Sequence, residues 1–453
     1  MSRPGDRRRA GEHDPGGRES GKRASEKQEG RLLRAIRHPR NQPLLIAVLA
    51  VLLSLLAIGL VIIVIGKNPI SVFRSLLQGS GWLPKPRYAS SRSMLTDFCG
   101  LLDAVTPMLF AAIAVSIAFK AGLFNIGVSG QMLAAGFLAT VIVGYSSLGA
   151  VIARPLVLLI GMAAGAALAM LVGWLKARFN IHEVVATIML NYIVQYIVGY
   201  FVKSRYIDPI SRQSRAVSAQ SRLTLVNVPV GAVETRIPLC FLLAVLLAVL
   251  FYLILRRTRL GFEIRAIGSN RQAAEYSGIS VNKTTITAMA LSGMAAGLAG
   301  VTYYLGYFNC INPGELSRVG FDSIAVAMLA SSNPLACVLS SLLITTLGYG
   351  SNYMSSVTGV SEHIASLLIG IVLLFSACGA LFGYFMNRGQ VISGDESGGF
   401  EGGEPDGRGA GGSHIDVTGD DPVAGHAPGG DTVIDPGGGF GSSAIDPAPE
   451  VPT

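Results

Sequence analysis

Long uncharged runs alternate with short charged stretches along most of this chain. Apolar segments fall near 43–65, 98–119, 126–146, 153–175, 183–202, 237–255, 284–307, 321–331, 334–349 and 362–385. A helix needs about 20 apolar residues to cross a bilayer, and 43–65 supplies 23 without a charge. The pattern predicts an all-α fold, a polytopic bundle of about ten membrane segments. The runs 321–331 and 334–349 are short for two ordinary spans and are split by Ser332-Asn333-Pro334. Proline resists the interior of a helix, so this pair predicts a half-helix followed by a full or tilted one.

A second interruption is GLFNIGVSGQM, residues 122–132, between two strongly apolar runs. It holds two glycines at the spacing of a phosphate loop. However, Val128 occupies the position of the required Lys and no strand is predicted before it, which excludes nucleotide binding there. Irregular backbone at membrane depth is tolerated only where protein or a watery cavity satisfies its polar groups. The stretch therefore predicts a break between the second and third segments, bordering a path. Gly122, Gly127 and Gly130 permit the bend, and Asn125, Ser129 and Gln131 are available to freed backbone groups or to substrate.

The fifth segment carries Glu183, Thr187, Asn191, Gln195 and Gly199 at four-residue spacing, with Tyr192, Tyr196 and Tyr200 in a parallel series. Such spacing draws a slowly turning polar stripe on one helix. Polar groups at depth face a bundle interior or a watery path. The stripe is read as lining a translocation path, against interhelical hydrogen bonding as the plainer role. The tyrosines are read first as interfacial anchors, with stacking on a ligand as the alternative. Gly161 with Gly165 and Gly293 with Gly297 are small-residue pairs that allow close helix approach. Asp103 and Asp322 lie within apolar segments. A proton relay is one reading; the plainer ones are a solvated or hydrogen-bonded Asp103 near an end of its segment and, for Asp322, a carboxylate at a half-helix start favoured by the dipole.

Charge changes the picture at the ends. Residues 1–42 hold twelve Lys/Arg against six Asp/Glu, and 389–453 hold one Arg against twelve acids. Both tails lack hydrophobic periodicity and are expected to be disordered: a basic N-terminal arm, and an acidic Gly/Pro-rich tail. A membrane domain is then expected over 43–388. Its basic residues are scattered between apolar runs, so they flank membrane helices and do not form a nucleic-acid footprint. Membrane lipid is the expected surrounding. Arg31, Arg34, Arg37 and Arg40 before the first segment place the N-terminus in the cytoplasm, and six crossings later 256–283 returns there. The loop 203–236, expected outside, also carries six basic residues and weakens that assignment. The five cysteines are far apart, mostly in apolar runs, without metal-ligand spacing, and read as small buried hydrophobes.

Residues 256–283 differ from the other loops. Ser269 with Gln272 makes a capping box, Ala273, Ala274 and Glu275 favour helix, and Gly278 suits a left-handed cap. A short cytoplasmic helix over 270–277 is expected, either a solvated connector or a docking surface. The stretch GFEIRAIGSNRQAAEYSGISV, followed by LSGMAAGLAGV, resembles the coupling segment of ATP-binding-cassette permeases of the branched-chain amino acid, ribose and nucleoside group. GLFNIGVSGQM and EVVATIMLNY (183–192) are similar to the nucleoside branch, which usually carries Glu where Ser129 stands.

The resemblance covers about 43–388 and implies a transport subunit without catalytic residues of its own. It implies Arg265, Gly268, Asn270, Ala273, Ala274, Glu275 and Gly278 for coupling to an ATPase. It also implies a separate ATP-binding subunit holding ATP and Mg, a second permease subunit, and an extracytoplasmic substrate-binding lipoprotein. Asn125, Ser129, Gln131, Glu183, Asn191 and Gln195 are the candidates for the path. A sugar or branched-chain amino acid permease is the near alternative, and a proton-coupled secondary transporter, which also uses interrupted helices, the distant one.

Overall fold

The structure is a computed structural model, and it describes residues 42–86, 94–230, 233–361 and 363–378. The expectations for the two tails lie outside these residues. Each of the ten apolar segments carries a helix. In chain order the helices are α1 (Gln42–Val64), α2 (Pro69–Gly79), α3 (Met94–Lys120), α4 (Val128–Ala139), α5 (Ala150–Phe179) and α6 (Glu183–Phe201). After a hairpin of β1 (Thr224–Val230) and β2 (Val233–Pro238) come α7 (Cys240–Arg257), α8 (Arg259–Ser269), α9 (Arg271–Tyr276) and α10 (Val281–Thr302). The last are α11 (Arg318–Leu329), α12 (Pro334–Thr358) and α13 (His363–Ala377). Among the described residues, five helices are long and apolar enough to cross a bilayer; α1 and α2, bent by 116°, make a sixth if taken as one span.

Helix α3 is the axis of the bundle. Leu101, Leu109, Phe110, Ile113 and Ile117 on it are fully buried. Pro107 inside it is tolerated at this depth because neighbouring helices enclose the site. Against it lies the tightest helix pair, α5 and α10. The two glycine pairs noted in the sequence face each other across this contact. A Cβ added to Gly165 would strike the carbonyl of Gly293, and one on Gly297 the carbonyl of Gly161. The pairing of Gly161 with Gly297 and of Gly165 with Gly293 makes the helices antiparallel. Without side chains between them the two backbones touch, which is the main attraction available to helices in lipid.

Several elements were not foreseen. Helix α2 is short and contains Arg74, so it lacks the signature of a span. It starts with Pro69 behind an Asn68 cap and turns back onto α12, where Gly79 abuts Tyr353 and Gly350. The 203–236 loop contains the antiparallel hairpin, whose register shifts between Leu225 and Val228. It is pinned to α3 by Thr224, whose hydroxyl donates to Asp103 Oδ1 at 2.6 Å. Asp103 is thus buried and hydrogen-bonded, which keeps the hydrogen-bonded reading and corrects the solvated one.

The break at Ser332-Asn333-Pro334 is where α11 and α12 meet. Ser331 and Ser332 take positive φ, and Asn333 caps α12 by accepting from Leu335 N, with Pro334 in the first turn. A 12-residue helix followed by a 25-residue one matches the predicted half-helix and full helix. Asp322 needs correction: α11 starts at Arg318, so Asp322 is past its first turn and is no partner for that helix end. Cys240 and Cys337 are buried, whereas Cys99, Cys310 and Cys378 are only half-buried, so the buried reading holds for two.

Candidate functional site

The break predicted at GLFNIGVSGQM is present. Helix α3 ends at Lys120, residues 121–127 are not helical, and α4 starts at Val128. Gly122 has φ +69°, a conformation that a residue with a side chain adopts only under strain. The first turn of α4 has free N–H groups, as every helix start does, and Gly127 at its N-cap has no side chain to satisfy them. Asn191 of α6 supplies the missing acceptor: Gly130 N donates to its Oδ1 at 2.9 Å. The Asn191 amide in turn donates to Ile126 O at 3.0 Å. Asn125 and Gln131 exchange two hydrogen bonds of 3.2 Å, and Asn125 also donates to Ser292 Oγ at 2.9 Å. All three amide side chains are buried. Beside them lies a small cavity of about 10 Å³, lined by Gly127, Gly130, Gln131, Thr187 and Asn191, among others.

A second helix starts inside the bundle, and it touches the first. After α10 the chain makes a wide turn, Tyr303–Tyr307, and an irregular segment runs from 308 to 317 into α11. Ser317 caps α11 through its own hydroxyl, which accepts from Val319 N at 3.2 Å. Ser129 in the first turn of α4 donates to Ser317 O at 2.9 Å, and Gly320 lies flat against the Ser129 backbone. Gln195 donates to Gly314 O in the same segment. Asn125, Gln131 and Asn191 are therefore brought together at the first junction, while Ser129 and Gln195 reach the second. Glu183 is apart from both: it begins α6, two turns before Asn191, and pairs with Lys176 near the end of α5. Thr187 spends its hydroxyl on the carbonyls of Glu183 and Val184. Tyr192, Tyr196 and Tyr200 are exposed on the other face of α6.

The segment 256–283 forms two short helices, not one. Helix α8 was missed because it is short and buries only Gly261, Ile264 and Ile267, with Arg259, Glu263 and Arg265 around them. It runs through Ser269, so Ser269 ends one helix and does not cap the next. Asn270, in extended conformation, is the cap of α9 and accepts from Ala273 N at 3.1 Å. The expected capping box with Gln272 is corrected accordingly. At the other end Gly278 takes φ +80°, Gly278 N donates to Glu275 O at 2.9 Å, and Ile279 N donates to Ala274 O at 3.1 Å. These bonds satisfy the last carbonyls as a left-handed cap requires. Ala274 packs with Ile267 and Val281, while Arg271, Ala273, Glu275 and Tyr276 are exposed. Gly268, in the last turn of α8 just before α9, rests on the backbone of Lys120 and Gly122, so this segment touches the start of the break.

A group that sequence reasoning missed lines a larger cavity, about 120 Å³, at the second junction: Gln213, Tyr303, Phe308, Cys310, Asn312 and Glu315. Its sequence signal was an aromatic run, YYLGYF, interrupted by polar residues just before a half-helix. Its geometry depends on Gln213, which arrives from the hairpin loop to accept from Cys310 Sγ at 3.0 Å.

Helices that start mid-bundle and meet end to side, within a bundle carrying a short exposed helix, define a membrane permease of the interrupted-helix kind. The chain belongs to the family described as branched-chain amino acid transport system, permease component, which matches residues 99–377. It is 34% identical over 352 residues to the guanosine ABC transporter permease protein NupP of Bacillus subtilis, covering 77% of this chain and 97% of the relative. It is 27% identical to the nucleoside ABC transporter permease protein NupB of Lactococcus lactis, covering 79% and 97%. It is also 26% identical to the glucose ABC transporter permease protein TsgB13 of Haloferax volcanii, covering 78% and 93%.

Proposed function

We propose that the chain is the membrane-spanning subunit of an ATP-driven importer and that it carries nucleosides. The observation that carries this reading is the 34% identity to a guanosine permease across nearly that protein's whole length. The chain works with a separate ATP-binding subunit that holds ATP and Mg, a second permease subunit, and an extracytoplasmic binding lipoprotein. The N-terminus and the α8–α9 segment lie on the cytoplasmic side. Family membership leaves the proton-coupled secondary transporter without support. The glucose permease relative favours a simple sugar as the second reading.

The mechanism follows from the contacts. The ATPase grips the exposed face of α9 around Glu275 and Tyr276. Displacement of α9 carries Gly268, which bears on Gly122, and so reaches the non-helical break. The break is tied by Asn191 to α6 and by Asn125 to α10. It cannot shift without moving the half-helix α4 against α6, and that movement opens or closes the path. ATP binding changes access only if the two conformations bind the ATPase unequally, since equal affinity shifts nothing.

Two measurements test this. Replacing Glu275 with Arg together with Gly278→Val abolishes uptake while the protein remains inserted; undiminished uptake refutes the coupling role of α9. Equilibrium binding to the lipoprotein, paired with uptake by the whole importer, tests the substrate. Transport of glucose, ribose or leucine with no nucleoside would overturn the nucleoside reading and leave the ABC permease standing.

A further inference from the structure

Between the end of α10 and the start of α11 the chain reads YYLGYFNCINPGELS. The wide turn Tyr303–Tyr307 reorients the rings that follow α10. Tyr304 is 4% exposed and belongs to the core, whereas Phe308 is 50% exposed. The rings of Tyr303 and Phe308 have centroids 4.9 Å apart and are tilted by 55°, so they form an open corner with no closed stack. The adjoining cavity has a volume of about 120 Å³ and is open on one side, so it encloses part of a small molecule and leaves the remainder to the path.

Its polar groups come as a set. Asn312 Nδ2 donates to Glu315 Oε2 at 2.6 Å. A carboxylate accepts at both oxygens, about four lone-pair sites in all, so one bond from Asn312 leaves capacity for two neighbouring hydroxyls. Cys310 occupies Gln213 Oε1, which leaves the amide nitrogen of Gln213 as a donor. Among the described residues no Lys or Arg lines the cavity, so these leave the carboxylate of a free amino acid without an opposite charge. The rim is fixed by residues of the candidate path: Gln195 holds Gly314, and Ser129 holds the carbonyl of Ser317. Substrate sites of interrupted-helix transporters lie at such half-helix starts, near mid-depth.

The geometry points to this cavity as a binding site for a nucleoside during passage, with the base against Phe308 and Tyr303 and the ribose diol on Glu315. The inference rests on the nucleoside reading above and names residues for it. Aromatic replacement at a stacking position changes binding by about 1–3 kcal/mol, a factor of roughly 5 to 150.

The complete importer, with its ATPase and lipoprotein, is reconstituted in proteoliposomes, and uptake of guanosine, 2′,3′-dideoxyguanosine, glucose and ribose is measured. Phe308→Leu lowers guanosine uptake at least about fivefold, and Phe308→Trp restores most of it. Glu315→Ala lowers uptake of guanosine and leaves that of the dideoxynucleoside unchanged. Size-exclusion profiles of the assembled complexes identify any variant that fails to fold, and Glu315→Gln replaces Glu315→Ala if that one does. If Phe308→Leu moves guanosine at the wild-type rate, or Glu315→Ala depresses both nucleosides alike, the site is wrong although nucleosides are carried. If the wild-type importer moves sugars only, both readings fall together.

Discussion

Helices α4 and α11 both begin inside protein, and they satisfy their first N–H groups in different ways. Helix α11 caps itself with Ser317. Helix α4 has a glycine at the cap position and borrows its acceptor from Asn191 on α6. The borrowed cap uses up the polar side chains around it, and Asn125, Gln131 and Asn191 are all buried in mutual or backbone hydrogen bonds. The local cap leaves Asn312 and Glu315 exposed beside a cavity. An amide at membrane depth is thus a joint where the backbone needs it. It becomes a ligand group only where the backbone is satisfied without it.

The contact between the two junctions gives the largest expected effect. A Cβ on Gly320 would come within 2.6 Å of Ser129 N and 2.8 Å of its Cα, and backbone cannot step aside as a flexible side chain can. Overpacking of this kind costs about 1–3 kcal/mol or more. Gly320→Val is expected to remove most of the monodisperse peak in size-exclusion chromatography of the detergent-solubilised protein. A wild-type profile and melting temperature would mean that the junctions do not touch. Next comes Asn191→Ala, which strips Gly130 N and Ile126 O of their partners. Each buried group left unpaired costs about 1–3 kcal/mol, and the expected fall in Tm is roughly 5 °C or more. Gln195→Ala removes a single bond from a half-buried side chain to Gly314, and its loss of about 1 kcal/mol should lower Tm by less than Asn191→Ala does.

Much of the architecture was legible because lipid imposes a simple rule on sequence. Uncharged runs located all ten apolar helices, and the glycines with Asn125 located the break. The same rule hides what is not apolar. Helix α2 is interrupted by Arg74, α8 is short and carries Arg259, Glu263 and Arg265, and the hairpin has no lipid-facing pattern. The cap of α9 was missed by one residue because Ser269 and Asn270 are both good caps; only the extent of α8 decides between them. At the site, the four-residue stripe on α6 was visible, but its partners were not. Asn191 meets Gly130 across 61 residues and Gln195 meets Gly314 across 119. The sequence signal is one polar residue per turn, identical for a joint and for a lining. The aromatic cavity was less legible still, since it needs Gln213 and Cys310 to meet across 97 residues.

The smallest thermal effect separates the two junctions most sharply. Asn312 is exposed and, among the described residues, its side chain bonds within its own turn, to Glu315 three residues on. Exposed substitutions of this sort change stability by about 0.5 kcal/mol or less, so Asn312→Ala should leave Tm nearly unchanged. If the second junction is free for a ligand, the same variant should still reduce nucleoside uptake, because Glu315 loses the donor that orients it. Asn191→Ala is its counterpart: Tm and uptake fall together, because the same bonds hold the fold and tie the break to α6. Differential scanning fluorimetry and uptake per folded importer, measured on both variants, place each residue on one side of this division. Should Asn312→Ala lower Tm as much as Asn191→Ala while sparing uptake, the second junction is a joint like the first, and the contrast between them disappears.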